Sequence, residues 1–65
     1  MIQKSYYYGA YSRDTIRDCM DRDGFLRICE WVPQGLAMFK DVLEFGRELT
    51  DGEAQELNLK FICAV

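Results

Sequence analysis

Residues 33–49 have the sequence PQGLAMFKDVLEFGREL. On a helix, at about 100° per residue, the apolar side chains between Leu36 and Leu49 fall on one half of the cylinder. The charged side chains between Lys40 and Glu48 fall on the other half. A strand would place the same apolar residues on both of its faces. The pattern therefore predicts an amphipathic helix over Pro33–Leu49 that lies on a sheet or on another helix.

The segments on either side predict strands and two shorter helices. Three segments are rich in aromatic and β-branched residues and lack helical spacing, which favours strands: Ile2–Tyr11, Phe25–Val32 and Leu59–Val65. Ser12 is a predicted N-cap for a helix from Arg13 to Arg22, and Gly24 supplies a left-handed stop. Thr50 and Glu53 have capping-box spacing, which predicts a short helix that runs through Leu57.

These elements predict one α+β domain over residues 1–65 with the order β-α-β-α-α-β. Its core is a three-stranded sheet with the helices packed on one face. A chain of 65 residues has room for one small domain only. Its 49% apolar and 14% aromatic content, with mixed charges, indicates that it folds.

Charge and cysteine content exclude several classes of function. A net charge of −3 disfavours non-specific binding to nucleic acid or to an anionic membrane and favours a basic protein partner. The sequence has three cysteines, no Cys-x-x-Cys motif and no histidine, which predicts no zinc site and reduced thiols in the cytoplasm. The N-terminus has no apolar run of signal-peptide length, and no apolar stretch approaches the length of a membrane span.

One segment resembles part of an EF-hand calcium loop. If Cys19 is the first loop position, the oxygen ligands and the glycine fall on Asp21, Asp23, Gly24 and Glu30. The first position is a thiol, a poor ligand for a hard cation, so we interpret the segment as a helix stop that leads into a strand. With no acid–base histidine and no phosphate-binding loop, we expect neither an enzyme nor a cofactor.

Two surfaces are candidate binding sites. Asp14, Asp18 and Asp21 lie within about 60° of one another on the first predicted helix. Together with Glu30, Glu44 and Glu48 they form a row of carboxylates for a basic groove. The alternative is a solvated helix face on which Arg17 and Arg22 neutralise these carboxylates.

The second candidate is the sheet face that the helices leave open. If the helices cover Tyr6, Tyr8, Leu26, Ile28 and Phe61, the outward residues are Tyr7, Phe25, Arg27, Trp31, Lys60 and Ile62. Of these, Tyr7, Arg27 and Trp31 are residue types common at interface hot spots, and an open apolar patch usually has a partner. The alternatives are that the face assignment is reversed for one strand, or that this face meets a second copy of the chain in a homodimer.

In size, acidity and lack of catalytic or metal-binding residues, the chain resembles the small inhibitors that phages and mobile elements carry against host defences, such as anti-CRISPR proteins. The resemblance implies stoichiometric binding to a subunit of a CRISPR effector complex, over its DNA-binding or nuclease-recruiting surface. The acidic helix would face the basic residues that hold DNA, and the aromatic side chains would anchor the contact. Two alternatives remain: a small regulatory module that binds another host protein, and a homodimeric structural protein.

Overall fold

The computed structural model describes residues 4–29 and 38–65. Within these ranges, four strands form one antiparallel sheet, and two short helices pack on it. In chain order the elements are β1 (Tyr6–Ala10), α1 (Ile16–Met20), β2 (Phe25–Cys29), β3 (Asp41–Phe45), α2 (Asp51–Glu56) and β4 (Leu59–Ala64). The order across the sheet is β2-β3-β1-β4.

The prediction of a three-stranded sheet with the order β-α-β-α-α-β is therefore wrong. The described part of the predicted helix Pro33–Leu49 contains the strand β3 instead, and residues 33–37 lie outside the described residues. Val42, Leu43, Glu44 and Phe45 are all at most 6% exposed. Because both faces of β3 are buried, its apolar residues do not alternate, and this run resembled the apolar face of a helix.

One face of the sheet carries the core shared with both helices. Its fully buried side chains include Tyr8 from β1, Leu43 and Phe45 from β3. Cys19 of α1 and Leu57, which follows α2, belong to the same cluster. Both helices therefore lie on this face, called the helical side below.

The opposite face is also partly covered. Gly9 is opposite Val42 in the register of β1 and β3, so the two residues point to the same face. A Cβ atom added to Gly9 would clash with the ring of Phe39, which is 5% exposed. The absence of a side chain at Gly9 is what allows this aromatic ring to lie flat on the strand.

Each outer strand contains one bulge. Phe25 is opposite Phe45 and Arg27 is opposite Glu44, so Leu26 is the extra residue of β2. The bulge turns Phe25 to the helical side, where its ring contacts that of Phe45 at 5.7 Å. The prediction that Phe25 faces outward beside Arg27 is therefore wrong.

The bulge of β4 is at Ile62. Tyr7 is opposite Cys63, whereas Tyr8 is opposite Phe61. Phe61 consequently shares the helical side with Tyr8, and their rings are 5.4 Å apart. Cys63 takes the opposite face.

The turns follow the local sequence more closely. Thr50 and Glu53 form the predicted capping box, with both reciprocal hydrogen bonds present, and Gly24 has the predicted left-handed φ, +89°. The helix α1 is shorter than predicted, and its N-cap residue is Thr15 rather than Ser12. Neither α1 nor α2 has the length and hydropathy that a membrane crossing requires.

Candidate functional site: an acidic helical side and an adjoining groove

The two helices are joined at both ends by polar contacts. The hydroxyl of Thr15 donates a hydrogen bond of 2.6 Å to the carbonyl oxygen of Leu57. Arg22, just beyond α1, places its terminal nitrogens 3.7 Å from Glu53 and 3.2 Å from Glu56. Arg22 therefore neutralises α2 and not its own helix.

Arg47 fixes the loop that precedes α2. Its two terminal nitrogens donate to both carboxylate oxygens of Glu53 at 2.9 and 2.8 Å, and its Nε donates to the carbonyl oxygen of Asp23 at 2.8 Å. The pKa of Glu53 is lowered to about 2, most strongly by the hydrogen bonds from the Arg47 guanidinium and next by the capping hydrogen bond from the backbone N–H of Thr50. The planar pairing ties α2 to the turn after α1.

The acidic residues predicted for the first helix remain exposed, but only Asp18 lies within α1, because Asp14 precedes its N-cap and Asp21 is its C-cap. Asp14, Asp18 and Asp21 have no ion pair within residues 4–29 and 38–65. The alternative in which Arg17 and Arg22 neutralise them is wrong for Arg22, which pairs with α2. Three more carboxylates of the helical side are also exposed and have no ion pair in the described residues: Asp23, Glu48 and Asp51.

The predicted row of carboxylates does not extend to Glu44. This residue is only 6% exposed and lies on the sheet face opposite the helices. It accepts hydrogen bonds of 2.7 Å from the Ser5 hydroxyl and 2.6 Å from Nε of Arg27. The pKa of Glu44 is held below its usual value despite burial, most strongly by the hydrogen bond from the Ser5 hydroxyl and less strongly by Arg27.

The aromatic candidate site is placed only in part. Arg27 is exposed over 70% of its side chain, Tyr7 is half-buried, and Trp31 lies outside the described residues. Tyr7 and Arg27 both flank Glu44 in the register, so they share one face. The structure brings these two together around a buried carboxylate that the sequence did not place there. The sequence signal for this buried carboxylate was Glu44 itself, an acidic residue inside the apolar run Val42–Phe45.

A groove that the sequence did not indicate lies beside the helical side. One wall comes from Leu59 to Phe61 of β4, and the other from Asp51, Ala54 and Gln55 of α2. Tyr8 and Leu49 line it between these walls, and Glu48 borders it. Phe61 is 46% exposed, so this groove offers an aromatic surface next to two unpaired carboxylates.

The thiols of Cys19 and Cys29 are unsuited to nucleophilic chemistry. All three cysteines are free. Burial raises the pKa of both Cys19 and Cys29, which keeps these thiols protonated near neutral pH. Among the described residues, no group of three or more acidic, cysteine or histidine side chains is arranged to hold a metal ion.

Comparison of the chain with protein-family models found no match. Comparisons with curated proteins and with solved structures found no match either.

Proposed function

We propose that this protein is a non-enzymatic domain that acts by stoichiometric binding to a basic protein surface, which its helical side covers. The observation that carries the proposal is the distribution of charge. Four of the five arginines are held in internal ion pairs: Arg13, Arg22, Arg27 and Arg47. Six carboxylates of the helical side stay exposed and unpaired within the described residues.

This distribution supports a charged interface. Within the described residues, ion pairs occupy every arginine except Arg17, whereas six exposed carboxylates have no ion pair, so the helical side carries an excess of negative charge. A field of one sign steers a partner of opposite sign and selects against partners of like sign. Direct binding to nucleic acid is disfavoured for the same reason.

The resemblance to anti-CRISPR proteins suggests the first target class to test. A CRISPR effector complex holds DNA in a positively charged channel, and an acidic domain seated there would exclude DNA without any chemistry. The raised pKa of the Cys19 and Cys29 thiols and the lack of histidine support a non-enzymatic role. The free cysteines suit the reducing cytoplasm, which is the compartment we propose.

The proposal is tested by changing charge at constant fold. Affinity capture from the host lysate first provides a partner, and calorimetry with that purified partner then gives stoichiometry and Kd. Replacing Asp14, Asp18 and Asp21 by asparagine removes three negative charges. Because exposed ion pairs contribute about 0.2–1 kcal/mol each, we expect the Kd to rise between about three-fold and a hundred-fold, with a weaker dependence on salt.

A matched control changes the net charge equally in another place. Leu26→Lys, Met38→Lys and Val65→Lys together add three positive charges at exposed positions outside the two helices. We expect this variant to keep most of the affinity. Equal effects of both triple variants would contradict binding through the helical side. Recovery of the protein alone, at the mass of a dimer, would favour the homodimer instead.

A further inference from the structure

The groove between β4 and α2 has the form of a site for an extended peptide. One wall is an outer strand, since β4 is last in the strand order and pairs only with β1 within residues 4–29 and 38–65. The other wall is a helix. An outer strand beside a helix is the arrangement in which a peptide adds to a sheet edge and inserts side chains into the adjoining groove.

The free edge of β4 has backbone groups available for such a peptide. Ser5 and Val65 exchange two hydrogen bonds of 2.8 Å across the pair of β1 and β4. In an antiparallel pair, the residue next to such a bonded pair turns its N–H and C=O to the other edge. Ala64 therefore presents its backbone outward, and the strand leads from there to the groove at Phe61.

The charges at the groove indicate the sign of the peptide. Glu48 and Asp51 are exposed and have no ion pair in the described part of the chain. Lys60 is the one cation that lines the groove there. The groove consequently favours a cationic side chain, next to the apolar surface of Phe61 and Ala54.

We propose that a segment of the partner binds here as an added strand on β4. It places an apolar side chain against Phe61 and a lysine or arginine side chain between Glu48 and Asp51. A second copy of this chain is a poorer occupant because it brings its own charge of −3. The inference rests on the proposed function only for the existence of a protein partner.

The test is a selection from a random dodecapeptide library displayed on phage, with the intact protein as bait. We expect the enriched peptides to combine β-branched or aromatic residues with lysine or arginine. A synthetic copy of an enriched peptide should shift the backbone amide resonances of Asp51, Ala54, Lys60 and Phe61. Peptides that shift resonances of β2 instead, or no enrichment at all, would overturn the proposal.

Two variants and one control make the result specific to the groove. Phe61→Ser should raise the peptide's Kd at least tenfold. Gln55→Lys, which changes an exposed groove residue on α2, should weaken binding by repelling the cationic side chain, without loss of fold. Leu26→Ser is the control, because Leu26 and Phe61 are both 46% exposed on outer strands. Equal weakening by Leu26→Ser would refute the site.

Other outcomes separate this inference from the proposed function. If the groove variants leave partner binding intact while the Asp14, Asp18 and Asp21 variant weakens it, the proposed function stands and the peptide site fails. If the groove resonances shift with concentration in the protein alone, the occupant is a second copy, and the peptide proposal is refuted.

Discussion

Tyr8 offers the sharpest test of how β1 is joined to the loop before α2. Its side chain is 2% exposed, and its hydroxyl accepts a hydrogen bond of 2.9 Å from the backbone N–H of Leu49. This bond joins the central strand β1 to the loop before α2. Tyr8→Phe removes the acceptor and leaves a buried N–H without its partner.

The expected cost follows from that loss alone. The ring contacts with Phe45, at 5.7 Å, and with Phe61, at 5.4 Å, remain in the phenylalanine variant. An unsatisfied buried donor costs about 1–3 kcal/mol. In a domain of this size each kcal/mol lowers the Tm by about 4–8 °C. Tyr8→Leu should cost more, since each aromatic contact adds about 0.5–1.5 kcal/mol.

Urea denaturation followed by circular dichroism measures these differences. Tyr11→Phe is the matched control, because Tyr11 is 41% exposed and such a change is expected to stay within about 0.5 kcal/mol. A Tyr8→Phe variant as stable as the control would refute the role given to this hydrogen bond.

The same residue predicts an alkaline effect. Burial raises the pKa of Tyr8 above its ordinary value of 10.0. The unfolded chain then releases this proton more readily than the folded one, so stability is complete below pH 10 and falls as pH rises through the folded pKa. The stability difference between the wild type and Tyr8→Phe should therefore narrow above pH 10. A constant difference would contradict the burial of the hydroxyl.

Three further changes test other contacts. Gly9→Ala should lower the free energy of unfolding by about 1–3 kcal/mol in urea denaturation, because the added methyl group overlaps the ring of Phe39; a smaller loss would mean that the ring moves aside freely. Thr50→Ala should cost about 1 kcal/mol through loss of the N-cap, whereas Thr50→Ser should keep most of the stability in the same assay. Arg27→Met should raise the pKa of the Glu44 carboxyl in an NMR titration, and an unchanged pKa would show that the ion pair is absent in solution.

Apart from the N-cap and length of α1, local features were predicted from the sequence, and features set by strand pairing were not. The capping box depends on Thr50 and Glu53, three positions apart, so the sequence contains all of it. The conformation of Gly24 is equally local. The strand β3 depends on burial from both sides by distant parts of the chain, and its apolar pattern alone did not distinguish it from a helix.

In the candidate site, too, some features were indicated by the local sequence and others depend on strand pairing. The exposure of Asp14, Asp18 and Asp21 follows from their place on a short amphipathic segment. The pairing of Arg27 with Glu44 requires that β2 lies beside β3, which no local pattern indicates. The outward position assigned to Phe25 failed because a single extra residue, Leu26, reverses the alternation of side chains.

The two bulges also bear on how this protein avoids its own aggregation. Among the described residues, Leu26 interrupts one outer strand and Ile62 the other, so neither of these strands offers a regular ladder to an arbitrary strand, and stacking into fibres is disfavoured. A segment that pairs with β4 from Ala64 to Phe61 must bend at Ile62. The bulge thus restricts which segments can pair with β4. Deleting Ile62 should give a protein that aggregates more readily and binds peptides less selectively.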